Sequence, residues 1–201
     1  MASTASAGAD SGRMMRQKMR HSLAWSMRAA SINSAFCRAA SRLAPAPLEV
    51  SLYAGLGKLP LFNPDLEADP PRAVREFRAA VEGAGALLIA SPEYAHGISG
   101  VLKNALEWLV SFEGFIGKPV VLVNTSPRAR HAHEALREIL RTMSARILSE
   151  ASVTLPLLGG CVTEDAMVAS PEVAPRIRSA MASLVRALDA GGGPGPTFPL
   201  D

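Results

Sequence analysis

Ala86-Leu87-Leu88-Ile89-Ala90 leads into Ser91-Pro92-Glu93-Tyr94-Ala95-His96-Gly97-Ile98-Ser99-Gly100 and then Val101-Leu102-Lys103-Asn104-Ala105-Leu106-Glu107-Trp108-Leu109, and this stretch decides the fold. Five consecutive apolar residues read as a strand buried on both faces, the pattern of a parallel sheet covered by helices. The Pro/Gly-punctuated segment that follows reads as a loop. Val101, Leu102, Ala105, Leu106, Trp108 and Leu109 then recur at helical spacing, with Lys103, Asn104 and Glu107 opposite. Strand, loop, helix is the order in which open α/β sheets set a ligand, outside the carboxyl end of a strand. The loop gathers an aromatic ring, a carboxylate and an imidazole within a few residues.

Outward from there the same alternation repeats. Lys118–Asn124 is a second buried strand, and Thr125–Arg130 is the loop at its carboxyl end. Leu48–Leu52 alternates polar and apolar, as an edge strand does. Helices are expected over Ser34–Leu43, stopped near Pro45; over Pro71–Val81, with Val74, Phe77 and Val81 inward; over His131–Ser144, with Leu136, Ile139, Leu140 and Met143 inward; and over Pro171–Leu188, with Ile177, Met181, Leu184 and Leu188 inward. A fifth strand region opens at Arg146-Ile147-Leu148 and runs to about Leu155. This alternation implies a parallel sheet with right-handed crossovers. The poorest element is Lys18–Ala24. Its place requires a central strand, yet Arg20-His21-Ser22 is polar. Residues 1–16 read as a disordered tail, 17–190 as one domain and 191–201 as a flexible Gly/Pro tail.

The formal charge of +3 divides unevenly along the chain. Residues 1–42 hold seven bases and one acid, leaving fourteen bases and seventeen acids for the rest. A mildly acidic body argues against a nucleic-acid partner, which needs a clustered basic face. No apolar run reaches the roughly 18 residues of a membrane span, so no membrane partner is expected. Cys37 and Cys161 form no CxxC pair and fit a reducing cytoplasm. His131 and His133 stand two apart, on different faces of a helix, and make a poor metal pair; no metal is expected.

Ser26-Met27-Arg28-Ala29-Ala30-Ser31-Ile32-Asn33 falls where the first strand would turn into its helix. Such a turn aims free N–H groups at an anion. Ser26, Ser31 and Asn33 add donors, and Arg28 adds a fork for phosphate oxygens. Alone, Ser31 reads equally as a helix N-cap and Arg28 as a solvated charge. Together with Pro92-Glu93-Tyr94, His96 and Gly100-Val101-Leu102-Lys103-Asn104-Ala105-Leu106 with Trp108, the pattern resembles the NADPH-dependent FMN reductases of flavodoxin-like fold. Leu59-Pro60-Leu61-Phe62-Asn63 adds to the likeness. The resemblance implies a three-layer α/β sandwich with five parallel strands in the order 2-1-3-4-5. It implies FMN gripped by Ser26, Arg28, Ser31 and Asn33 at its phosphate and by Pro92, Glu93, Tyr94, Ala95 and His96 at its ring. Ser126 or Thr125 would meet the ring's polar edge, and Arg128 the phosphates of a nicotinamide nucleotide. Two positions depart from the family pattern: Ala95 stands where Asn is usual, and Trp25 where Gly precedes the phosphate turn. A ring at Trp25 is expected to crowd the turn and weaken flavin binding.

The activity implied is electron transfer from NADPH or NADH through FMN to a quinone or a similar small-molecule acceptor. It needs no side-chain acid or base, so no catalytic residue is assigned. The family resemblance implies a homodimer or homotetramer, and Trp108, Leu109, Phe112 and Phe115 are a candidate contact face. Two alternatives remain at this level: a flavodoxin-like electron carrier, and a non-enzymatic protein with an impaired flavin site.

Overall fold

The computed structural model describes residues 21–26, 31–157 and 160–190. Both expected tails, and Arg28, lie outside the described residues. Strand β1 (His21–Trp25) lies between β2 (Glu49–Tyr53) and β3 (Ala86–Ala90), and β3 pairs on its other side with β6 (Pro119–Asn124). The last position is shared by two short strands, β7 (Arg146–Ile147) and β8 (Val153–Thr154), both paired with β6. Every pairing in this sheet is parallel. The order is therefore the expected 2-1-3-4-5, with the fifth lane broken in two.

The break has a local cause. Between β7 and β8 the chain turns out of the ladder, and Ser152 takes the place of a strand neighbour. Its Oγ accepts from Leu122 N at 3.0 Å and donates to Leu148 O at 2.8 Å. A side chain thus satisfies a backbone N–H that would otherwise be orphaned in the interior.

Alternation along the strands divides the core in two. On one face, Ala24, Val50, Leu88 and Val121 pack against α1 (Ile32–Leu43) and α6 (Val173–Ala190). On the other, Leu23, Trp25, Leu87, Ile89, Val120 and Leu122 pack against α2 (Arg72–Gly83), α3 (Gly100–Glu107) and α4 (His131–Thr142). That gives three layers. A short helix not foreseen from the sequence, α5 (Glu164–Ala169), sits beside α1, where Glu164 and Asp165 pair with Arg38 and Arg42. Two of the seven bases in the N-terminal region are thereby engaged within the fold. Cys37, inside α1, is fully buried, and desolvation pushes its thiol up to about 12, so it is unreactive at neutral pH.

Strand β1 forms despite its polar residues. His21 Nε2 lies 2.7 Å from Ser51 Oγ on β2, and Ser22 is fully buried, its hydroxyl without a hydrogen-bond partner among the described residues. Trp25 closes the strand. Its side chain leaves the strand on the α2/α3 face, is 1% exposed, and packs against Phe77 with ring centroids 5.4 Å apart. The indole is core, on the face of the sheet opposite α1.

The apolar residues flanking α3 are also core. Trp108, Leu109 and Phe115 are almost fully buried, so they are not a contact face. Asn104, expected on a polar face, is 8% exposed and works with Trp108 as a clamp. Asn104 Nδ2 and Trp108 Nε1 both donate to Pro60 O at 2.9 Å, while Asn104 Oδ1 accepts from Phe62 N at 2.8 Å. Phe62 stands edge-on to Trp108, centroids 5.0 Å apart. Two residues of the Gly100–Trp108 motif, Asn104 and Trp108, therefore serve to hold the 59–63 segment.

Candidate functional site

Because the strands are parallel and Trp25 is in register with Ile89, and Ala90 with Val123, the carboxyl ends of β1, β3 and β6 meet at one rim. The three candidate segments all start there. Of the residues singled out from sequence, Ser26, Ser31 and Asn33 lie at the β1 side, Pro92–His96 in the middle and Ser126 at the β6 side.

At the β1 side, Ser31 is the N-cap of α1, and its Oγ accepts from Ser34 N at 3.1 Å. Ser31 Oγ donates to Ser34 Oγ at 3.1 Å, and Ser34 Oγ donates in turn to Ser26 Oγ at 2.8 Å. The hydroxyls thus form a chain across the helix start. Ser31 is both the cap that the plain reading foresaw and a part of this chain. Asn33 is 7% exposed, and its Oδ1 accepts from Thr125 Oγ1 at 2.6 Å. That buried bond joins the β1 side of the rim to the β6 side. The Asn33 amide nitrogen has no hydrogen-bond partner among the described residues.

The middle segment is a small antiparallel hairpin, not the plain loop expected. Strand β4 (Glu93–Tyr94) pairs with β5 (Gly97–Ile98), Glu93 opposite Ile98 and Tyr94 opposite Gly97. The two turn residues, Ala95 and His96, have φ of 48° and 61°. Positive φ at both central positions is the type I′ geometry that matches strand twist, and it favours Asn or Gly. This gives a backbone reason for the Asn usual at position 95 in the resembling family: it settles more easily than Ala into the left-handed region.

The hairpin is anchored to α4. Glu93 Oε2 accepts from Ala132 N at 2.9 Å, so a carboxylate from another element caps a helix whose own N-cap residue, Arg130, gives no side-chain bond. Negative charge there also meets the positive end of the helix dipole. The His96 ring stacks on His131, centroids 4.4 Å apart and 7° from parallel. Tyr94 is 59% exposed at the hairpin's open face. No sequence signal links His96 to His131, which are brought together only by the tertiary fold.

At the β6 side, Asn124 and Thr125 are buried, and Ser126 N donates to Asn124 Oδ1 at 3.0 Å. His133 lines a small pocket with Ser91, Val123, Asn124, Ala129 and Leu136. Desolvation holds its pKa below the usual imidazole range, with Arg137 adding to the effect and Glu134 opposing it. His133 thus faces away from the stacked pair. Among the described residues no group of three His, Cys, Asp or Glu converges as metal ligands would, and no helix is long and apolar enough to cross a membrane.

A parallel sheet whose β1, β3 and β6 loops converge at the switch in strand order is the frame of a flavodoxin-like nucleotide-binding protein. Residues 21–157 match the family model described as NADPH-dependent FMN reductase. The chain belongs to that family. It is 39% identical over 104 residues to an NAD(P)H-dependent FMN reductase of Pseudomonas aeruginosa, covering 50% of this chain and 56% of that protein. It is 38% identical over 108 residues to a quinone reductase of Pseudomonas putida, covering 52% of this chain and 58% of that protein. The chain thus spans a little over half the length of these relatives. Among solved structures, the flavoenzyme NAD(P)H:(acceptor) oxidoreductase FerB of Paracoccus denitrificans superposes with a TM-score of 0.72 over 85% of this chain and 96% of that one, at 24% identity. At that identity the likeness bears on the fold alone.

Proposed function

We propose that this chain is an FMN-dependent NAD(P)H oxidoreductase that passes electrons to a quinone or a similar small-molecule acceptor. The observation that carries this reading is the pair of differently built grips on one rim: a hydroxyl-lined helix start at the end of β1 and an anchored hairpin at the end of β3. The residues present fit a mononucleotide. At the first grip, Ser26, at the end of the hydroxyl chain that starts at Ser31, and the amide of nearly buried Asn33, which has no hydrogen-bond partner among the described residues, offer donors to a phosphate beside the positive end of α1. Arg28 belongs to the same turn by sequence. At the second, the backbone of Pro92, Ala95 and His96 and the exposed ring of Tyr94 border a flat ring system. Glu93 acts through α4, holding the hairpin in position. Ser126 keeps a hydroxyl hydrogen for the polar edge of that ring.

Bound there, FMN supplies the two-electron redox chemistry. The hairpin backbone and Tyr94 would hold the ring in place for a co-substrate to reach. No side chain is assigned a proton in the reaction.

In this reading the protein works in the cytoplasm, consistent with its two free cysteines. It assembles as a homodimer or homotetramer, with exposed Val110, Ile116 and Leu61 as apolar contact candidates in place of the buried Trp108 set.

The test is direct. The purified protein, supplemented with FMN and freed of excess, should show flavin absorbance and oxidise NADPH or NADH steadily when a benzoquinone is present. Flavin absorbance without coenzyme oxidation would mark an electron carrier. A protein that retains no FMN would mark a lapsed site.

A further inference from the structure

Two of the chain's four histidines meet on the rim. His21 lies beside Ser51 at the start of β1, and His133 lines the small pocket under α4. His96 and His131 differ from both. They are exposed, and their rings lie face to face, centroids 4.4 Å apart and 7° from parallel. His96 sits in the hairpin turn at φ of 61°, and His131 is the first residue of α4. Both strands of the hairpin pack on α4. Two side-chain ties join the elements: this stack, and Glu93 Oε2 accepting from Ala132 N. Strands of two residues have little stability of their own, so these ties decide whether the hairpin stays docked.

We propose that the His96–His131 stack is a pH-sensitive latch, which holds the hairpin against α4 at neutral pH and lets go in mild acid, when both rings take up protons. Its consequence, a looser hold on the flavin ring, rests on the reductase reading above; the latch itself needs no flavin. Histidine is the side chain whose charge ordinarily changes between roughly pH 5 and 8. Two neutral rings stack, and a protonated ring still stacks on a neutral one. A second proton sets like charges 4.4 Å apart, which even in water disfavours the stack about fivefold. The surroundings act in both directions. His131 stands in the first turn of α4, where the helix dipole disfavours a cation, and Arg130 precedes it. Glu134 on α4 and Glu93 on the hairpin favour one. Glu93 is engaged by Ala132 N, and Glu134 is exposed, so solvent screens it. The other titratable or charged neighbours are Tyr94 on the hairpin, Arg128 in the loop before α4, and His133 and Arg137 on α4. A released hairpin separates the rings and carries both protons, whereas the docked one accommodates a single proton. Docking therefore weakens as pH falls. The serine-lined start of α1 holds no histidine, so the response is confined to the ring side of the site.

Hydrogen exchange of the Ala132 amide and the hairpin amides, followed by NMR on the full chain without flavin and corrected for the intrinsic effect of pH, reads the latch directly. Protection in the wild type should fall about fivefold between about pH 7.5 and about pH 5. H131F keeps a stacking ring that takes up no proton, so its protection should stay level. H131A loses the stack and should show the low value at both pH values. FMN affinity, followed by fluorescence quenching, should fall about fivefold more on acidification in the wild type than in H131F, a comparison that cancels titration of the FMN phosphate itself. Level protection in the wild type, an equal fall in H131F, or undiminished protection in H131A at the higher pH overturns the proposal. An equal loss of FMN affinity in wild type and H131F overturns the link to the flavin ring. Protection that follows the latch pattern in a chain that binds FMN at neither pH would instead sink the reductase reading and leave the latch standing.

Discussion

The serine-lined start of α1 and the β4–β5 hairpin, neighbours on one rim, are held in opposite ways. At the β1 side the polar groups bond mainly to one another: Ser31 to Ser34, Ser34 to Ser26, Asn33 to Thr125. At the hairpin the polar and aromatic groups reach outward to α4, through Glu93 to Ala132 N and through His96 to His131. The first is an internal network, suited to presenting several donors at once. The second is a short, twisted element of little independent stability, which has to be pinned from outside. The difference suggests that damage at the hairpin spreads to the fold, while damage at the serine network stays with the ligand.

Three substitutions test that contrast, in order of expected size. Glu93→Ala removes a charged acceptor from a helix start and releases the hairpin; it should lower unfolding free energy by about 2 kcal/mol, read by chemical denaturation. A change too small to resolve would show that the hairpin is not pinned through Glu93. Asn33→Ala leaves the Thr125 hydroxyl without its partner and should lower stability by about 1 kcal/mol. Its FMN dissociation constant, followed by fluorescence quenching, should rise more than that of Glu93→Ala; the reverse ranking would refute the division of labour. Ala95→Gly should raise stability by about 0.5 kcal/mol, since φ of 48° suits glycine better than a residue with a Cβ. A loss of stability there would mean that the turn is not strained.

How much of this was legible in the chain follows from where each signal resides. Ala86–Ala90 and Pro119–Asn124 are buried on both faces, so burial wrote itself into composition, and the strands and their neighbours could be read. Strand β1 is equally central but could not be read with the same ease. Its polar His21 is accommodated by Ser51 on another strand, a partner that only the fold supplies. The hairpin was missed because its turn, Ala95-His96, lacks the Asn-Gly type of residue that announces positive φ. That the ring of Trp25 packs on Phe77 could not be read either, because the partner comes from a helix about fifty residues away. Asn104 looked solvated because helical position alone does not show that the 59–63 segment folds over it. That three segments start at one rim follows from the strand–loop–helix order and was legible. The sequence did not show that Glu93 points at a helix start or that His96 has a stacking partner.

The interrupted fifth lane has a consequence beyond the accommodation of one backbone amide. An unpaired sheet margin with a long, regular row of donors and acceptors invites strands from other molecules to add to it. Here the margin beyond β6 consists of two dipeptide strands, with a kinked excursion and a serine hydroxyl between them. An incoming strand finds no continuous template there. The irregularity guards that flank against fibril-like stacking and leaves β2, at the opposite margin, as the edge with a continuous row of donors and acceptors.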